Sequence, residues 1–262
     1  MSNPFANIPT IDISSFLLGN PDPDSISPTV AAVRAAAISP GFFQITGHGI
    51  SPSQTSQFFS ALHHFFNLPQ ATKDAIAQDM QVSPRGYEPQ GVQRLEQGID
   101  DVPETKEGFV WGSEQSPTTT TTNPMARGPN RWPVEAEGCP AFRSEMMRFY
   151  DSCVVLGQAL LRILALGLGL PREYFDALVE GKNAMMTCRA HRYRPKPVGD
   201  AGETKGVGAH TDFGALTLLM QDDVGGLEVF NRASQTWHPV PPLVDALVVN
   251  LGDLMGECPD GT

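Results

Sequence analysis

Within Gly208-Ala209-His210-Thr211-Asp212-Phe213-Gly214, a histidine and a carboxylate stand two residues apart. On an extended segment side chains alternate faces, so His210 and Asp212 would point the same way. An imidazole nitrogen and a carboxylate oxygen placed like that can bind one metal ion. They supply two of the three ligands of the 2-His-1-carboxylate triad that holds non-haem Fe(II) and leaves other positions open for chemistry. With six histidines and 29 acidic residues in the chain, a chance His-x-Asp is easy to obtain, so the setting has to carry the reading.

The remaining histidines read as structural. His48 sits in a Gly-His-Gly turn. His63 and His64 are neighbours on a helix, where adjacent side chains point in different directions and make no metal pair. His191 and His238 lack a carboxylate at the spacing of a ligand pair. Asp253, at the end of Asn250-Leu251-Gly252-Asp253, reads as a turn-forming acid.

The elements that must position this chemistry follow from periodicity and punctuation. Ile8 to Ile13 alternates like a short strand, Thr29 to Ile38 is an alanine-rich helix, and Gly41 to Ile45 is a β segment entering the turn Gly47-His48-Gly49. Ser51-Pro52 caps a helix with Phe58, Leu62, Phe65 and Phe66 on one face, ended by Leu68-Pro69. A short helix through Lys73 and Ile76 follows. Residues 81–138 are rich in Pro, Gly, Thr and charge, with a low-complexity run at Thr118 to Thr122. A long helix from about Ala141 to Leu168 breaks near Gly167-Leu168-Gly169 and closes at Pro171. Beyond Ala184 the pattern is strands: Met185 to Tyr193, Ala215 to Met220, Leu227 to Phe230, Trp237 to Val240 and Ala246 to Leu251. The organisation read from this is an N-terminal region 1–138, a supporting helical stretch 139–183 and a strand-rich region 184–262. An α+β protein with a β-sandwich or barrel carrying the site is expected.

Composition narrows the function classes. A net charge of −11 argues against nucleic acid, which needs a clustered basic surface. Cys139, Cys153, Cys188 and Cys258 are scattered without a Cys-x-x-Cys, the pattern of reduced thiols in an intracellular protein. The N-terminus lacks the basic start and apolar run of a signal peptide, and the apolar stretch Val154 to Leu170 carries Gln158, Arg162 and three glycines. A cytoplasmic monomer without nucleic-acid or membrane partners is expected.

Taken in order, the segments Ile8-Pro9-Thr10-Ile11-Asp12, Gly41 to Ile50, Arg85-Gly86-Tyr87, Lys106-Glu107-Gly108-Phe109, Asn130-Arg131-Trp132-Pro133, Gly208 to Leu219 and Asn250 to Asp253 resemble the Fe(II)/2-oxoglutarate-dependent dioxygenases of the isopenicillin N synthase-like superfamily. The likeness covers nearly the whole chain. It implies a double-stranded β-helix (jelly-roll) core with flanking helices, Fe(II) as cofactor, and 2-oxoglutarate as cosubstrate. It also implies a small-molecule substrate oxidised with O2 while 2-oxoglutarate is decarboxylated to succinate. By the same resemblance His210 and Asp212 are the first two iron ligands. Arg189-Ala190-His191-Arg192-Tyr193-Arg194-Pro195 matches a segment that usually reads Leu-x-Tyr-Pro-Pro, which brings Tyr193 near the cosubstrate. Arg194 stands where proline is usual, and the alternative for Tyr193 is a strand tyrosine with its hydroxyl at the rim.

The family pattern continues into a distal histidine and an Arg-x-Ser whose arginine grips the far carboxylate of 2-oxoglutarate. The residues through Thr262 offer no counterpart. The expectation is a C-terminally truncated member whose tail from Gly256 comes from an unspliced intron, a premature stop or a deliberate cut. Hydroxylation, desaturation or cyclisation of a metabolite is the reaction class. The alternatives are an iron oxidase that does not use 2-oxoglutarate and a non-catalytic family member that binds a ligand through the surviving fold.

Overall fold

The structure is a computed structural model that describes residues 8–17, 23–92, 104–114, 128–134, 138–179, 186–195, 206–232 and 234–256. The Thr118 to Thr122 run, Met185, Cys258 and the tail from 257 lie outside the described residues. The fold is α+β, as expected, and its chain forms two compact units: residues 1–52, 152–177 and 211–262 in the first, and 53–151 and 178–210 in the second. Each is assembled from separated stretches of sequence.

The first unit is built on a four-stranded sheet in the order β1 (Thr10–Asp12), β2 (Phe42–Thr46), β9 (Leu247–Leu251), β6 (Leu216–Leu219). β1 runs parallel to β2, while β9 is antiparallel to both β2 and β6. β9 has neighbours on both sides, and Leu247, Val248, Val249 and Asn250 are all buried. That explains its continuous apolar run, since a strand covered on both faces has no polar face to show. The hairpin β7 (Glu228–Asn231) and β8 (Thr236–Pro239) adds Val229 to a small cluster with Val240 and Val248. Two helices precede β2 in sequence: α1 (Ser14–Leu17) and α2 (Pro23–Ile38). α2 begins six residues before the expected Thr29 and runs through Pro28.

The second unit holds α3 (Pro52–Phe66), α4 (Gln70–Asp74) and an antiparallel sheet of β3 (Gly86–Glu88), β4 (Lys106–Gly112) and β5 (Thr187–Tyr193). The α3 stripe of Phe58, Leu62, Phe65 and Phe66 is buried as its spacing requires. Phe65 stacks on Phe142 with ring centroids 4.6 Å apart and meets Phe109 edge-on at 4.9 Å. Trp111 is buried and donates its indole N–H to the Met146 carbonyl at 3.0 Å, so its one polar atom is satisfied. Phe142 and Met146 belong to the long helix α5 (Phe142–Gly167), whose bounds fall within a residue of the expected ones. By length and composition alone α5 could cross a membrane, but it buries Phe142, Met146, Phe149, Leu156, Leu160 and Ile163 at helical spacing. That is the pattern of a core helix.

β3 and β4 lie inside the 81–138 segment whose composition reads as loop. Every residue of β4 is buried, including Lys106 and Glu107. Each of these charges has a partner: Lys73 Nζ lies 2.7 Å from Glu107 Oε2, and Lys106 Nζ lies 3.1 Å from Glu104 Oε2. Paired charges can be buried where lone ones cannot, and that pairing is invisible in a local composition window.

Candidate active site

His210 is the last residue of the second unit, and Thr211-Asp212 begins the final stretch of the first. The strand expected here is narrower than its sequence pattern: β6 starts at Leu216, and residues 208–215 carry no regular secondary structure. Strand alternation therefore does not set the direction of these side chains. Hydrogen bonds do so instead.

His210 is exposed, and its Nδ1 lies 2.9 Å from the Gly208 carbonyl oxygen. A carbonyl only accepts, so Nδ1 carries the proton and Nε2 presents the lone pair. A metal-ligating histidine is oriented in the same way, donating its other ring N–H to a backbone carbonyl. Asp212 is half-buried. Its Oδ2 accepts a 2.8 Å hydrogen bond from Asn250 Nδ2 near the end of β9, and its carbonyl accepts 2.8 Å from the Asp253 N–H. Thr211 Oγ1 donates to Asp253 Oδ2 at 2.7 Å.

These contacts identify two residues that the sequence alone did not mark as supports. Asn250 orients the candidate carboxylate. Asp253 opens the four-residue helix α6 (Asp253–Gly256) and anchors the backbone and side chain of the 211–212 link. Asp253 is thus more than a turn-forming acid. Between them, Gly252 allows the close approach: a Cβ there would lie 2.1 Å from the Gly214 carbonyl oxygen and 2.6 Å from that of Asp212. The signal for all three was present as the Asn-Leu-Gly-Asp run, but its meaning depends on pairing across 38 to 42 residues.

Tyr193 ends β5, half exposed, with its ring 6.1 Å from that of His191. Burial of the hydroxyl end, and then the charge of Glu104, raise its pKa, so it stays a neutral donor. The structure brings Tyr193, His191, Glu104 and the Gly208–His210 stretch together within the second unit: Gly208 N–H donates to Glu104 Oε1 at 3.1 Å, and the Tyr193 ring lies beside both His191 and Gly206. Glu104 and His191 were not singled out as site residues by the sequence reading.

His48 is buried, accepts the Ile50 N–H at Nδ1 and faces the Asp245 carbonyl with Nε2, 3.2 Å in each case. Burial lowers its pKa more than the Asp245 contact raises it. His63 and His64 are exposed on α3, and His238 Nε2 pairs with Thr236 Oγ1 at 2.9 Å. Among the described residues no group of three or more His, Cys, Asp or Glu side chains could hold a metal.

Among known proteins, the family of the non-haem dioxygenase in morphine synthesis N-terminal region matches residues 8–135, and the 2OG-Fe(II) oxygenase superfamily matches residues 182–261. The chain belongs to the Fe(II)/2-oxoglutarate-dependent dioxygenases. It is 38% identical over 249 residues to the 2-oxoglutarate-Fe(II) type oxidoreductase hxnY of Emericella nidulans, covering 94% of this chain and 70% of that protein. It is also 38% identical over 261 residues to the 2-oxoglutarate-dependent dioxygenase citB of Monascus ruber, covering 97% of this chain and 77% of the relative. The crystal structure of a full-length Neurospora crassa protein in complex with alpha-KG superposes with a TM-score of 0.82 at 30% identity, covering 97% of this chain and 76% of that one. The fold is the α+β fold of the solved 2OG oxygenases, mixed sheets with flanking helices. Fe(II) and 2-oxoglutarate are the family's cofactor and cosubstrate, and the chain is an enzyme of that class, oxidising a metabolite with O2.

Proposed function

We propose that the chain hydroxylates, desaturates or cyclises a small organic metabolite at an iron centre for which His210 and Asp212 supply two ligands, with 2-oxoglutarate released as succinate and CO2. The observation that carries this is the pair of orienting bonds: Gly208 O on His210 Nδ1, and Asn250 Nδ2 on Asp212 Oδ2. Both hold a metal-binding donor by a group that does not itself compete for a cation. The donor set, one neutral imidazole and one carboxylate, suits Fe(II). It fits two positions of the expected three, and the described residues add no third.

When bound, Fe(II) and 2-oxoglutarate supply the oxidation, one oxygen atom of O2 going to succinate and the other to oxidation of the substrate. The protein's part is to fix ligand direction, orient the cosubstrate and keep competing reactions away. His210 contributes its ε nitrogen because Gly208 holds the proton at Nδ1. Asn250 fixes the carboxylate plane of Asp212. Tyr193, a neutral phenol on the same strand as His191, is the hydroxyl donor available to a cosubstrate carboxylate.

Anaerobic titration of the purified chain with Fe(II) and 2-oxoglutarate tests this reading through the metal-to-ligand charge-transfer band. A saturable band that is lost in His210→Ala and Asp212→Ala, followed by succinate formation in air, is expected. No band and no succinate would leave the alternative, a family member that does not catalyse.

A further inference from the structure

Residues 206–210 carry no regular secondary structure, so no strand ladder aims the exposed His210 ring. Its Nδ1 lies 2.9 Å from the Gly208 carbonyl oxygen, which makes the ring's direction depend on where residue 208 stands. Gly208 is buried, and its own N–H donates to Glu104 Oε1 at 3.1 Å, across 104 positions of sequence. We propose that Glu104 is a positioning residue for His210: it fixes Gly208, and Gly208 fixes the tautomer and direction of the imidazole. The bearing of this on iron rests on the oxygenase reading above.

Glu104 suits the role because its carboxylate is itself held. It is buried just ahead of β4, and its other oxygen, Oε2, lies 3.1 Å from Nζ of Lys106, which is also buried. Drawing the two apart would strand both charges out of water, which is strongly unfavourable. Lys106 opens β4, and β4 is paired with β5 along its whole length. The carboxylate is therefore an acceptor anchored to the sheet. A backbone N–H bonds more strongly to a carboxylate than to a neutral carbonyl. The Tyr193 ring rests against Gly206 and seats the start of the same stretch by packing, while Glu104 supplies a polar tether.

The consequence is chemical. In a neutral, unrestrained imidazole the proton resides mainly on Nε2, the nitrogen that has to be bare to bind a metal here. A carbonyl held at Nδ1 reverses that preference. If Gly208 were released from Glu104, its carbonyl could turn away and the ring would return to the tautomer that does not bind through Nε2. Glu104 thus acts on the metal-binding nitrogen through two hydrogen bonds in series.

Two double variants of the full chain test this, both lacking the Glu104–Lys106 ion pair so that no buried charge is stranded. Glu104→Leu with Lys106→Met removes the acceptor for Gly208, while Glu104→Gln with Lys106→Met keeps one as an amide carbonyl. The proteins are labelled with 15N-histidine and kept free of iron and 2-oxoglutarate. The His210 ring nitrogens are then read by NMR at mildly alkaline pH and assigned by their loss in His210→Ala. The parent and the amide variant should show the Nδ1–H tautomer, and the acceptor-free variant should move most of that population to Nε2–H. Anaerobic Fe(II) binding should weaken about tenfold in the acceptor-free variant, the lower end for supports behind a metal ligand, and recover in the amide variant. If the acceptor-free variant does not fold, Glu104→Asp should show the same tautomer shift, since it keeps a charge for Lys106 but draws the carboxylate back by one methylene. An unchanged His210 tautomer without the acceptor, or a shift that the amide variant does not reverse, overturns the proposal. The tautomer is read in metal-free protein, so its failure is distinct from failure of the Fe(II) and 2-oxoglutarate titration.

Discussion

Asn250 donates from Nδ2 to Asp212 Oδ2 at 2.8 Å, linking the last residue but one of β9 to the candidate metal-binding carboxylate 38 positions earlier. Asn250 is buried in the strand between β2 and β6, so it is a fixed donor rather than a solvent-exposed one. Supports of this kind commonly change metal affinity by about 10–100-fold. Asn250→Leu should weaken Fe(II) binding within that range while circular dichroism remains that of the parent. Asn250→Asp should weaken it further at neutral pH, because two carboxylates would then share one hydrogen-bonding position. Unchanged Fe(II) affinity in both variants would show that Asn250 serves the sheet alone.

Gly252 makes a separate, steric contribution to the same link. Its missing Cβ leaves room for the carbonyl oxygens of Gly214 and Asp212, both backbone atoms that cannot turn aside. Gly252→Ala should lower unfolding stability by about 1–3 kcal/mol, the range for overpacking a fitted site. Gly157 gives the contrast. It lies inside α5, and an added Cβ meets nothing within 4 Å. Gly157→Ala should therefore raise stability by about 0.5–1 kcal/mol. Urea denaturation of the two variants measures both signs, and a Gly252→Ala protein as stable as the parent would contradict the close approach.

Thr211 tests whether the 211–212 link is held locally. Its hydroxyl donates to Asp253 Oδ2 at 2.7 Å, and both groups are exposed. Thr211→Val keeps the shape and removes the donor. Global stability should change by under about 1 kcal/mol. Hydrogen exchange at the Asp253 amide, which donates to the Asp212 carbonyl, should become faster because its partner segment is less restrained. Unaltered exchange would place the restraint in the backbone bond alone.

What the sequence made legible, and what it did not, divides on physical grounds. α3 and α5 announce themselves because a helix facing a core needs apolar residues every three or four positions, and Phe58, Leu62, Phe65 and Phe66 supply them in α3. β9 is legible as an unbroken apolar run. β4 was hidden because Lys106-Glu107-Gly108 reads as a polar, flexible stretch until Lys73 and Glu104 are brought alongside. The pair His210 and Asp212 was visible as a spacing. Its supports were not, since Gly208, Asn250 and Asp253 act through hydrogen bonds in an irregular segment that periodicity does not describe. His191 lacks a carboxylate at ligand spacing, a test that does not register its packing beside the Tyr193 ring.

The buried charges of β4 give the last prediction, which concerns stability against pH. Glu107 Oε2 accepts from Lys73 Nζ and from Tyr87 Oη, 2.7 Å each, while Arg194 Nη2 lies 3.4 Å from Oε1. Burial alone would raise the Glu107 pKa, but the bonds from Lys73 and Tyr87 and the nearby positive charge outweigh it, and the net direction is down from 4.5. A carboxylate with a depressed folded-state pKa contributes stability in full above its unfolded value and loses it as pH falls through the folded one. The Glu107 contribution should therefore be present above about pH 4.5 and disappear below it. Glu107→Gln should be destabilised by about 3–5 kcal/mol at pH 7, since Lys73 is left buried without its counter-charge. The acid-side decline should also be shallower than in the parent. Replacing both partners, Lys73→Met with Glu107→Leu, should recover much of the loss, because the stranded charge is gone. Urea midpoints from pH 3 to 7 for the three proteins measure this, and a double variant no more stable than Glu107→Gln would show that the network, rather than the stranded ammonium, sets the stability of the sheet.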